Sequence, residues 1–491
     1  MNKTQKIILG FAAAVFSLTA IFSVGYFQHD EHFQILEFAS LKTQVTTADV
    51  LPWEYRGQIR PAIQVALTFI LIKIYHLWHI DSPFNQILLL RIVTGLFSFG
   101  VIYFLYQTLL PQIRSKNKTY FLLLSFLIFF IPYVAVRFSS ETWSGNFFIL
   151  GLALTIKYYD SEKNIVKFNH NLLIGLILGL SFAFRFQTGL LILGLLFWLL
   201  FIKRSSLKNI FGIILGTSII VGLGILIDYW YYQEWVLSAW NYFEVNIIEN
   251  KTAEFGVNPW YFYFTALTDV GIFKFLTYPL ITLCLGFFIL KYKNPISFSV
   301  IPFLIAHLII AHKEIRFLFP LAFLTPYMAI QVIQFFQEKI KRPIIKTLTA
   351  IFIIIPLITL NTATVVGKSF LFADGGVMVY KYLYDHYGQT DVKIYYLSEE
   401  PGFYSQQANL IMNFYDTKKF MSMPDCRLKK EDIKKIKPTK KTLLVAGSIN
   451  NLTAYPLKPV HDVLPNWFRK LNKNNRFKIK NANWKVYEFT N

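Results

Sequence analysis

A pair of acids between two histidines follows directly on the first long apolar run of the chain. The run covers residues 7–27, and His29, Asp30, Glu31 and His32 come next, within "GYFQHDEHFQILEF". A carboxylate costs roughly 3 kcal/mol at the centre of a bilayer, and at its edge it is still unfavourable unless water, a cation or a substrate compensates its charge. The segment that follows is aromatic and amphipathic instead of a polar tether. We therefore interpret Asp30 and Glu31 as acid–base residues; an acid pair that marks the water boundary is the alternative.

Cationic side chains that could face this pair occur in several loops. The richest is "AHKEIRFLFP" at 311–320, where His312, Lys313 and Arg316 interrupt two apolar runs. Arginine offers paired donors and lysine a point charge, and both suit a phosphate group at a membrane surface. The segment therefore predicts a phosphate-binding cradle, and an ion cluster that stabilises a turn is the alternative. Further candidates for a substrate cavity are His29, His32, Arg56, Arg60, Arg137, Glu141, Arg185 and Trp260.

Structural roles stay open for three of these candidates. Glu141 lies at a predicted helix start in "VRFSSETWSG", where an acid also serves as a cap. Arg185 lies in the apolar "SFAFRFQTG", where an arginine either contributes to a site or extends its head group to the interface. Trp260 belongs to the aromatic loop 228–265, which suits the membrane interface and also the stacking of sugar rings.

The composition indicates the environment in which these residues must be held. Of 491 residues, 54% are hydrophobic and 16% are charged, and the mean hydropathy is +0.43. A soluble domain has about 25% charged residues. Apolar runs recur at the length that roughly 30 Å of hydrocarbon requires, and backbone groups in lipid must bond within their own segment. The chain is therefore predicted to be an α-helical polytopic membrane protein.

The net charge and the cysteine content exclude other classes of protein and of site. The net charge of +21 would suggest nucleic acid in a soluble chain, but the basic residues cluster in short loops between apolar runs. Topology and anionic lipid therefore explain the charge, and we expect no nucleic-acid partner. Cys284 and Cys426 form no disulfide framework, and His29, Asp30 and His32 are adjacent residues that cannot all reach one ion from a regular helix or strand. We expect no metal and no other cofactor.

The loops predict a topology. Basic clusters at 114–118, 157–167, 203–208, 291–293 and 338–346 mark the cytoplasmic face, and the acid pair, the aromatic loop and segment 311–320 then share the opposite face. The apolar runs predict about 11–12 transmembrane helices. Run 7–27 exceeds the apolar region of a signal peptide, which has about 7–15 residues, so we expect it to be the first of these helices. Segment 61–80 must re-enter, form a hairpin or lie at the interface, because a simple crossing would reverse everything after it.

Residues 362–491 differ in kind from residues 1–361. Charges are frequent, and "VKIYYLS", "TLLVAGS" and "WKVYEFT" have the pattern of strands, whereas "VMVYKYLYDHY" has that of a helix. About 130 residues suit one small α/β domain. We predict a membrane domain over 1–361 and a C-terminal α/β domain over 362–491 on the non-cytoplasmic side; a disordered tail is the alternative.

Several of these segments together resemble glycosyltransferase family 22. "FQHDEHFQILEFA" is similar to its acidic motif, with His29 in place of the usual proline. "WEYRGQIRP", "DYWYYQEWVLSAWNYFEVNII", "NPWYFYF" and "HKEIRFLFP" resemble later motifs of the family and occur in its order. In the tail, "YYLSEEPGFYS" and "MPDC" resemble, more distantly, the members that add the third mannose of glycosylphosphatidylinositol, although the tail lacks their Cys-His element.

The resemblance implies a GT-C fold and a mannosyltransferase that uses polyprenyl-phosphate-mannose, such as dolichyl phosphate mannose, and a lipid-linked glycan or glycolipid acceptor. Asp30 would then be the base on the acceptor hydroxyl, Glu31 would orient the acceptor, and Arg316, Lys313 and His312 would bind the donor phosphate. One base without a second nucleophilic carboxylate implies inversion at the anomeric carbon. The membrane would be that of the endoplasmic reticulum in a eukaryote, or the inner membrane in a bacterium.

Two other classes fit the same residues. A flippase or transporter of lipid-linked oligosaccharide also needs cations in a membrane cavity, but it would more often have repeated halves, and none are visible in this sequence. A GT-C transferase that uses a different lipid-phosphate sugar would share the fold and differ in its donor pocket.

Overall fold

The chain forms two compact units. The computed structural model describes residues 2–159, 166–268, 274–339, 355–388, 392–397, 412–416, 427–437, 441–447, 452–471 and 484–490. The first unit, here called the helical unit, comprises Met1–Ile21, Gly57–Gln64 and Leu90–Phe370. The second, the mixed unit, comprises Phe22–Arg56, Val65–Leu89 and Leu371–Asn491.

Apolar helices make up most of the helical unit. Helices Lys3–Phe22 and Pro83–Leu109 belong to it over most of their length. Among the described residues, its other α-helices are Lys118–Leu127, Ile131–Ala135, Ser140–Tyr159, Phe168–Phe184, Gly189–Phe197, Leu207–Tyr232, Ser238–Phe243, Phe262–Ala266, Lys274–Leu290, Pro295–Ile309, Thr325–Lys339 and Ile355–Ser369, and a 3-10 helix covers Ile315–Leu324.

Helices that could span a membrane are found among the described residues. Four are long and apolar enough to cross a bilayer, namely Lys3–Phe22, Pro83–Gln112, Leu207–Tyr232 and Ile315–Lys339. The pair Phe275–Leu290 and Pro295–Ile309 passes the same criterion together but bends by 118°. The expectation of a polytopic helical membrane protein is thereby confirmed. The number of crossings, about 11–12 from run length, stays a prediction, as does the path of segment 61–80, whose described helix is Ile63–Leu77.

Small residues let two of the helices approach closely. A Cβ on Gly175 would lie 2.1 Å from the carbonyl oxygen of Ile213, and one on Gly216 would lie 2.4 Å from that of Leu172. Helices Phe168–Phe184 and Leu207–Tyr232 therefore pack backbone to backbone, as membrane helices do when lipid supplies no hydrophobic drive for association. This packing fixes the position of the helix Phe168–Phe184, and Arg185 directly follows its C-terminal end.

Buried polar side chains fix helix Ser140–Tyr159 against its neighbours. Trp143 Nε1 donates to Thr94 Oγ1 at 3.0 Å, and Asn146 Nδ2 donates to Ser98 Oγ at 2.8 Å. At Gly145 an added Cβ would lie 2.7 Å from the Cα of Pro320. Hydrogen bonds between helices are directional, so they fix the rotation of this helix and hence the position of Glu141 in its first turn.

A five-stranded sheet forms the core of the mixed unit. Its strands are β1 (Lys393–Leu397), β2 (Arg427–Leu428), β3 (Thr442–Gly447), β4 (Leu457–Asp462) and β5 (Trp484–Phe489), in the order β2-β1-β3-β5-β4. Strand β1 pairs in parallel with β2 and β3, whereas β5 pairs antiparallel with β3 and β4.

The sheet confirms the strand and helix predictions in the tail. Strands β1, β3 and β5 occupy the three segments predicted as strands, and helix Gly375–Tyr387 occupies the predicted helical one. Every residue of β3 is buried, and the strand pairs with β1 along one edge and with β5 along the other. The tail also contains a 3-10 helix at Lys430–Lys435 and an α-helix at Asn466–Leu471. Most of "YYLSEEPGFYS" and all of "MPDC" lie outside the described residues.

The mixed unit also contains the segment that carries the acid pair. A short helical turn at His29–Glu31 continues into a π-helical stretch at His32–Leu36 and then into helix Glu37–Lys42. Helices Trp53–Arg56 and Ile63–Leu77 follow, the second mostly within this unit. A π turn inside a helix is rare and occurs frequently at functional sites.

Candidate active site

A buried glutamate holds two arginines in the helical unit. Glu141 Oε1 accepts from Arg185 Nη1 at 2.9 Å and lies 3.1 Å from Arg316 Nη1. Both guanidinium groups also lie over the ring of Phe317, at 5.2 Å for Arg185 and 5.3 Å for Arg316. The carboxylate of Glu141 therefore holds together two cations that are far apart in the chain.

Glu314 and His312 extend this cluster, here called the arginine network. Arg316 donates to Glu314 from Nε at 2.8 Å and from Nη2 at 2.9 Å, which is a bidentate pair. His312 Nε2 lies 3.1 Å from Glu314 Oε1, and this bond raises the pKa of His312. Burial raises the pKa of Glu314, but Arg316 and His312 outweigh burial and leave that pKa well below its usual range. Glu314 is therefore ionised at neutral pH.

Lys313 binds backbone carbonyls beside the arginine network. Its Nζ donates to the carbonyl oxygens of Asn258 at 2.9 Å and Ile310 at 2.5 Å, and the side chain is 3% exposed. Asn258 Oδ1 in turn accepts from the Lys313 backbone at 3.0 Å. The ammonium group therefore fastens the aromatic loop to segment 310–313.

Arg185 differs from Arg316 in how many of its donors are used. Its Nη1 donates to Ser140 Oγ at 3.0 Å and to Glu141, but Nε and Nη2 have no hydrogen-bond partner within the described part of the chain. The residue ends helix Phe168–Phe184 in an extended conformation, with φ −157° and ψ 114°. Within a membrane, a break in a helix is tolerated where the non-helical backbone is buried in protein or lines a water-filled cavity. The Nε and Nη2 groups of Arg185 therefore remain available as donors within the described part of the chain.

Three other predicted residues of the helical unit lie beside aromatic rings. Arg60 lies 5.8 Å from the ring centre of Tyr242, and Arg137 lies 4.9 Å from that of Tyr133. Arg137 is 1% exposed, whereas Trp260 is 65% exposed. That Arg60, Arg137 and Trp260 contribute to a substrate cavity stays a prediction.

The acid pair lies in the mixed unit. Asp30 is half-buried, Glu31 is buried, and His29 is half-buried in the same turn. The nearby ring of Tyr26 is buried, and burial together with the charges of Asp374, Tyr415 and Glu31 raises the pKa of Tyr26 well above its usual value. The phenol therefore stays protonated beside the acids.

The two remaining predicted residues of the mixed unit have different environments. His32 is fully buried, and its Nε2 lies 2.8 Å from Glu37 Oε1. Arg56 is exposed at the end of helix Trp53–Arg56. Among the described residues, no three His, Cys, Asp or Glu side chains meet in a way that could hold a metal ion. Metal independence itself stays a prediction.

Comparison with known proteins identifies the family. A family model described as the Alg9-like mannosyltransferase family matches residues 7–392. The chain belongs to this family. The resemblance to glycosyltransferase family 22 is therefore confirmed, and all of the membrane-region motifs lie inside the matched range.

Curated relatives of this Alg9-like chain carry related names. "GPI mannosyltransferase 3" of Candida albicans is 26% identical over 62% of this chain and 60% of its own length. "Mannosyltransferase APTG1" of Arabidopsis thaliana is 26% identical over 65% of this chain and 57% of its own length. The chain thus spans about 60% of the length of the curated relatives that it matches.

A solved structure shares the fold of this family member. ArnT from Cupriavidus metallidurans, bound to undecaprenyl phosphate, matches 99% of this chain and 98% of its own chain, with a TM-score of 0.51 and 10% identity. At that identity the likeness concerns the fold alone. The predicted GT-C fold is confirmed.

The sequence prediction missed several groups that the structure brings to the predicted residues of the Alg9-like chain. Glu314 was visible in "HKEIRF" as a charged group, but not as the partner that accepts two hydrogen bonds from Arg316. Ser140 was visible only as a possible cap. Glu37 and Tyr415 carried no signal, because their contacts with His32 depend on a π turn and on a distant segment.

Proposed function

We propose that this chain is an inverting mannosyltransferase of the non-cytoplasmic membrane face. It would transfer mannose from a polyprenyl-phosphate-mannose donor to a hydroxyl of a lipid-linked glycan or glycolipid. Membership of the Alg9-like family supports this class of reaction. The single observation that carries the proposal is the partly unsatisfied guanidinium of Arg185 in a buried arginine network, since it suits a lipid phosphate.

The chemistry needs one base and one stabilised leaving group. Asp30 accepts the proton of the acceptor hydroxyl while that oxygen forms a bond to the anomeric carbon of mannose. The bond from this carbon to the phosphate oxygen breaks, and polyprenyl phosphate leaves with the electron pair. Direct displacement by the acceptor inverts the configuration at the anomeric carbon. Glu31 orients the acceptor, and no metal is required because the leaving group is a monophosphate that fixed cations can neutralise.

The contacts of the cations indicate that Arg185 and the other cations have different roles at the phosphate. Arg316 donates to two carboxylates, and Lys313 donates to two carbonyls. Arg185 keeps Nε and Nη2 for a ligand, so we assign the main phosphate contact to Arg185. Arg316, Lys313 and His312 then supply positive potential and hold the network in position.

An apolar groove supports a lipid-linked donor. It is lined by residues on both sides of Arg185 in the chain and by helix Leu207–Tyr232, including Phe182, Ala183, Phe186, Val221, Gly224 and Ile225. Asp228 and Ser238 also line it, and they bind each other. An isoprenoid tail would bury its methyl groups against such a surface at about 25 cal/mol per Å².

Filling the groove is expected to weaken the use of long donors. In Gly224→Leu the new side chain enters the groove, and an added Cβ meets nothing within 4 Å, so the fold is spared. Gly222→Leu is the matched control, since Gly222 has the same open surroundings and does not line the groove. We expect a roughly tenfold higher KM for a long polyprenyl donor with Gly224→Leu only, about the loss of two buried methylenes. Equal KM values for the two variants would argue against the groove.

Turnover in detergent tests the reaction class. Purified protein is given polyprenyl-phosphate-mannose and a lipid-linked mannosylated acceptor, and the product is measured by mass spectrometry, with and without a chelator. We expect transfer without a sealed vesicle and at the same rate with the chelator. Transport that requires vesicles and gives no product would favour a flippase. Transfer of glucose or aminoarabinose in preference to mannose, in donor competition, would favour a different GT-C donor.

A further inference from the structure

The acid pair is held at its N-terminal side by the start of helix Gly375–Tyr387. The carbonyl oxygen of Val24 accepts from the backbone N–H of Ala373 at 2.7 Å and of Asp374 at 3.2 Å. Gly25 has a φ of +94°, and a Cβ there would lie 2.7 Å from the Cβ of Asp374. Only glycine fits this close approach without strain. We call this contact the first clasp.

A second contact holds the acid pair at its C-terminal side. Glu37 Oε1, in a buried side chain, lies 2.8 Å from His32 Nε2 and accepts the backbone N–H of Phe414 at 2.9 Å. Asn413 Nδ2 also donates to Thr46 Oγ1 at 3.0 Å. Segment Met412–Asp416 of the tail is therefore fastened to the helices that follow the acids. We call this contact the second clasp.

A stack of four rings joins the two clasps. His32 stacks on Tyr26 with ring centres 5.7 Å apart, and on Tyr415 with ring centres 5.2 Å apart and an 11° angle between the planes. Tyr415 stacks in turn on Phe84, with ring centres 5.1 Å apart. Because His32 directly follows Glu31 in the chain, the stack fixes the backbone on which the two carboxylates stand.

The turn that carries the acids has little stability of its own. It is three residues long, and a π turn interrupts the helix directly after it. A single turn fixes many dihedral angles for one hydrogen bond, so it forms only where other contacts hold it. Contacts on both sides of this turn come from residues 373–374 and 412–416, far along the chain.

We propose that the C-terminal region of this chain sets the geometry of Asp30 and Glu31 through the two clasps, with His32, Glu37 and Tyr415 as positioning residues. This inference rests on the proposed function, because it assumes that Asp30 acts on the acceptor hydroxyl. A base displaced by about 1 Å loses up to about 100-fold in rate, whereas binding of a lipid phosphate elsewhere on the chain needs no such precision. The clasps should therefore act on kcat and leave the KM for the donor unchanged.

Replacement of Glu37 tests the second clasp. Glu37→Ala removes the acceptor of both hydrogen bonds, and we expect kcat to fall by about 10- to 100-fold with an unchanged KM for the donor. Glu37→Gln keeps an oxygen at that position and should restore most of kcat. Asp462→Ala is the matched control, since Asp462 binds Arg469 and Lys485 in the same unit and contacts neither clasp. It should leave kcat unchanged.

A second variant and a binding measurement exclude misfolding as the cause of a lower kcat. Gly25→Ala, at the first clasp, should lower kcat in the same way as Glu37→Ala. Unchanged affinity for polyprenyl phosphate, measured by calorimetry, would demonstrate that both variants are folded. The inference is overturned if the wild type transfers mannose and Glu37→Ala keeps its kcat, or if Glu37→Ala and Asp462→Ala lower kcat equally. Absence of mannosyl transfer by the wild type would instead count against the proposed function.

Discussion

Replacement of Asp30 by asparagine is expected to remove nearly all mannosyl transfer while the protein folds and binds its donor. The amide has nearly the shape of the carboxylate but cannot accept the proton that the acceptor hydroxyl must lose. Base catalysis contributes about 10²- to 10⁴-fold, and we expect a loss of kcat within that range. Turnover of polyprenyl-phosphate-mannose in detergent measures the loss, and the affinity for polyprenyl phosphate should stay the same.

Two further variants separate the base from its neighbours. Asp49→Asn removes an exposed carboxylate from the same loop region and should leave kcat unchanged. Glu31→Gln should lower kcat less than Asp30→Asn and should raise the KM for the acceptor, because we propose that Glu31 orients the acceptor. Near-normal turnover by Asp30→Asn would remove Asp30 as the base. A larger loss of kcat with Glu31→Gln would transfer that role to Glu31.

The general architecture could be predicted because it depends on local properties of the sequence. The length of apolar runs predicts spanning helices such as Leu207–Tyr232, since the bilayer sets a minimum length for each of them. Strands β1, β3 and β5 were visible from their short apolar or alternating patterns, and the acid cap at Asp374 precedes a helix as capping requires.

The contacts of the site could not be predicted, because they depend on the winding of the helix and on distant partners. His32 and Glu37 are five residues apart, which on a regular α-helix separates two side chains by about 140° around the axis. The π turn at His32–Leu36 brings them together, and no propensity predicts that turn. The partner of Glu37 at Phe414 lies 377 residues further along the chain.

The arginine network illustrates a second limit of sequence reasoning. The charges of "HKEIRF" were visible, and they suggested Arg316 as the phosphate ligand. A sequence does not tell which donors are already used, and in the structure Arg316 donates to both Glu314 and Glu141. Arg185 had only an isolated position in an apolar run to indicate it, yet it keeps the donors that a ligand needs.

Replacement of Arg185 by glutamine is expected to have the second large effect, on the use of the donor. Loss of one charged partner in a buried hydrogen-bonded pair costs about 2–5 kcal/mol. Since about 1.4 kcal/mol is a factor of ten, we expect kcat/KM for polyprenyl-phosphate-mannose to fall by at least about 30-fold. Arg185→Lys should recover only part of this, because lysine keeps the charge and loses the planar fork. Arg114→Gln, at an arginine that pairs with Glu338, is the control and should change nothing.

Comparison with Arg316 decides which arginine binds the phosphate. Arg316→Gln leaves Glu314 without its bidentate partner, so its main effect should be on thermal stability, with donor kinetics affected less than in Arg185→Gln. Arg185→Gln leaves Glu141 paired with Arg316 and should unfold near the wild-type temperature. If Arg316→Gln impairs donor use and Arg185→Gln does not, Arg316 is the phosphate ligand and the unsatisfied donors of Arg185 serve another purpose.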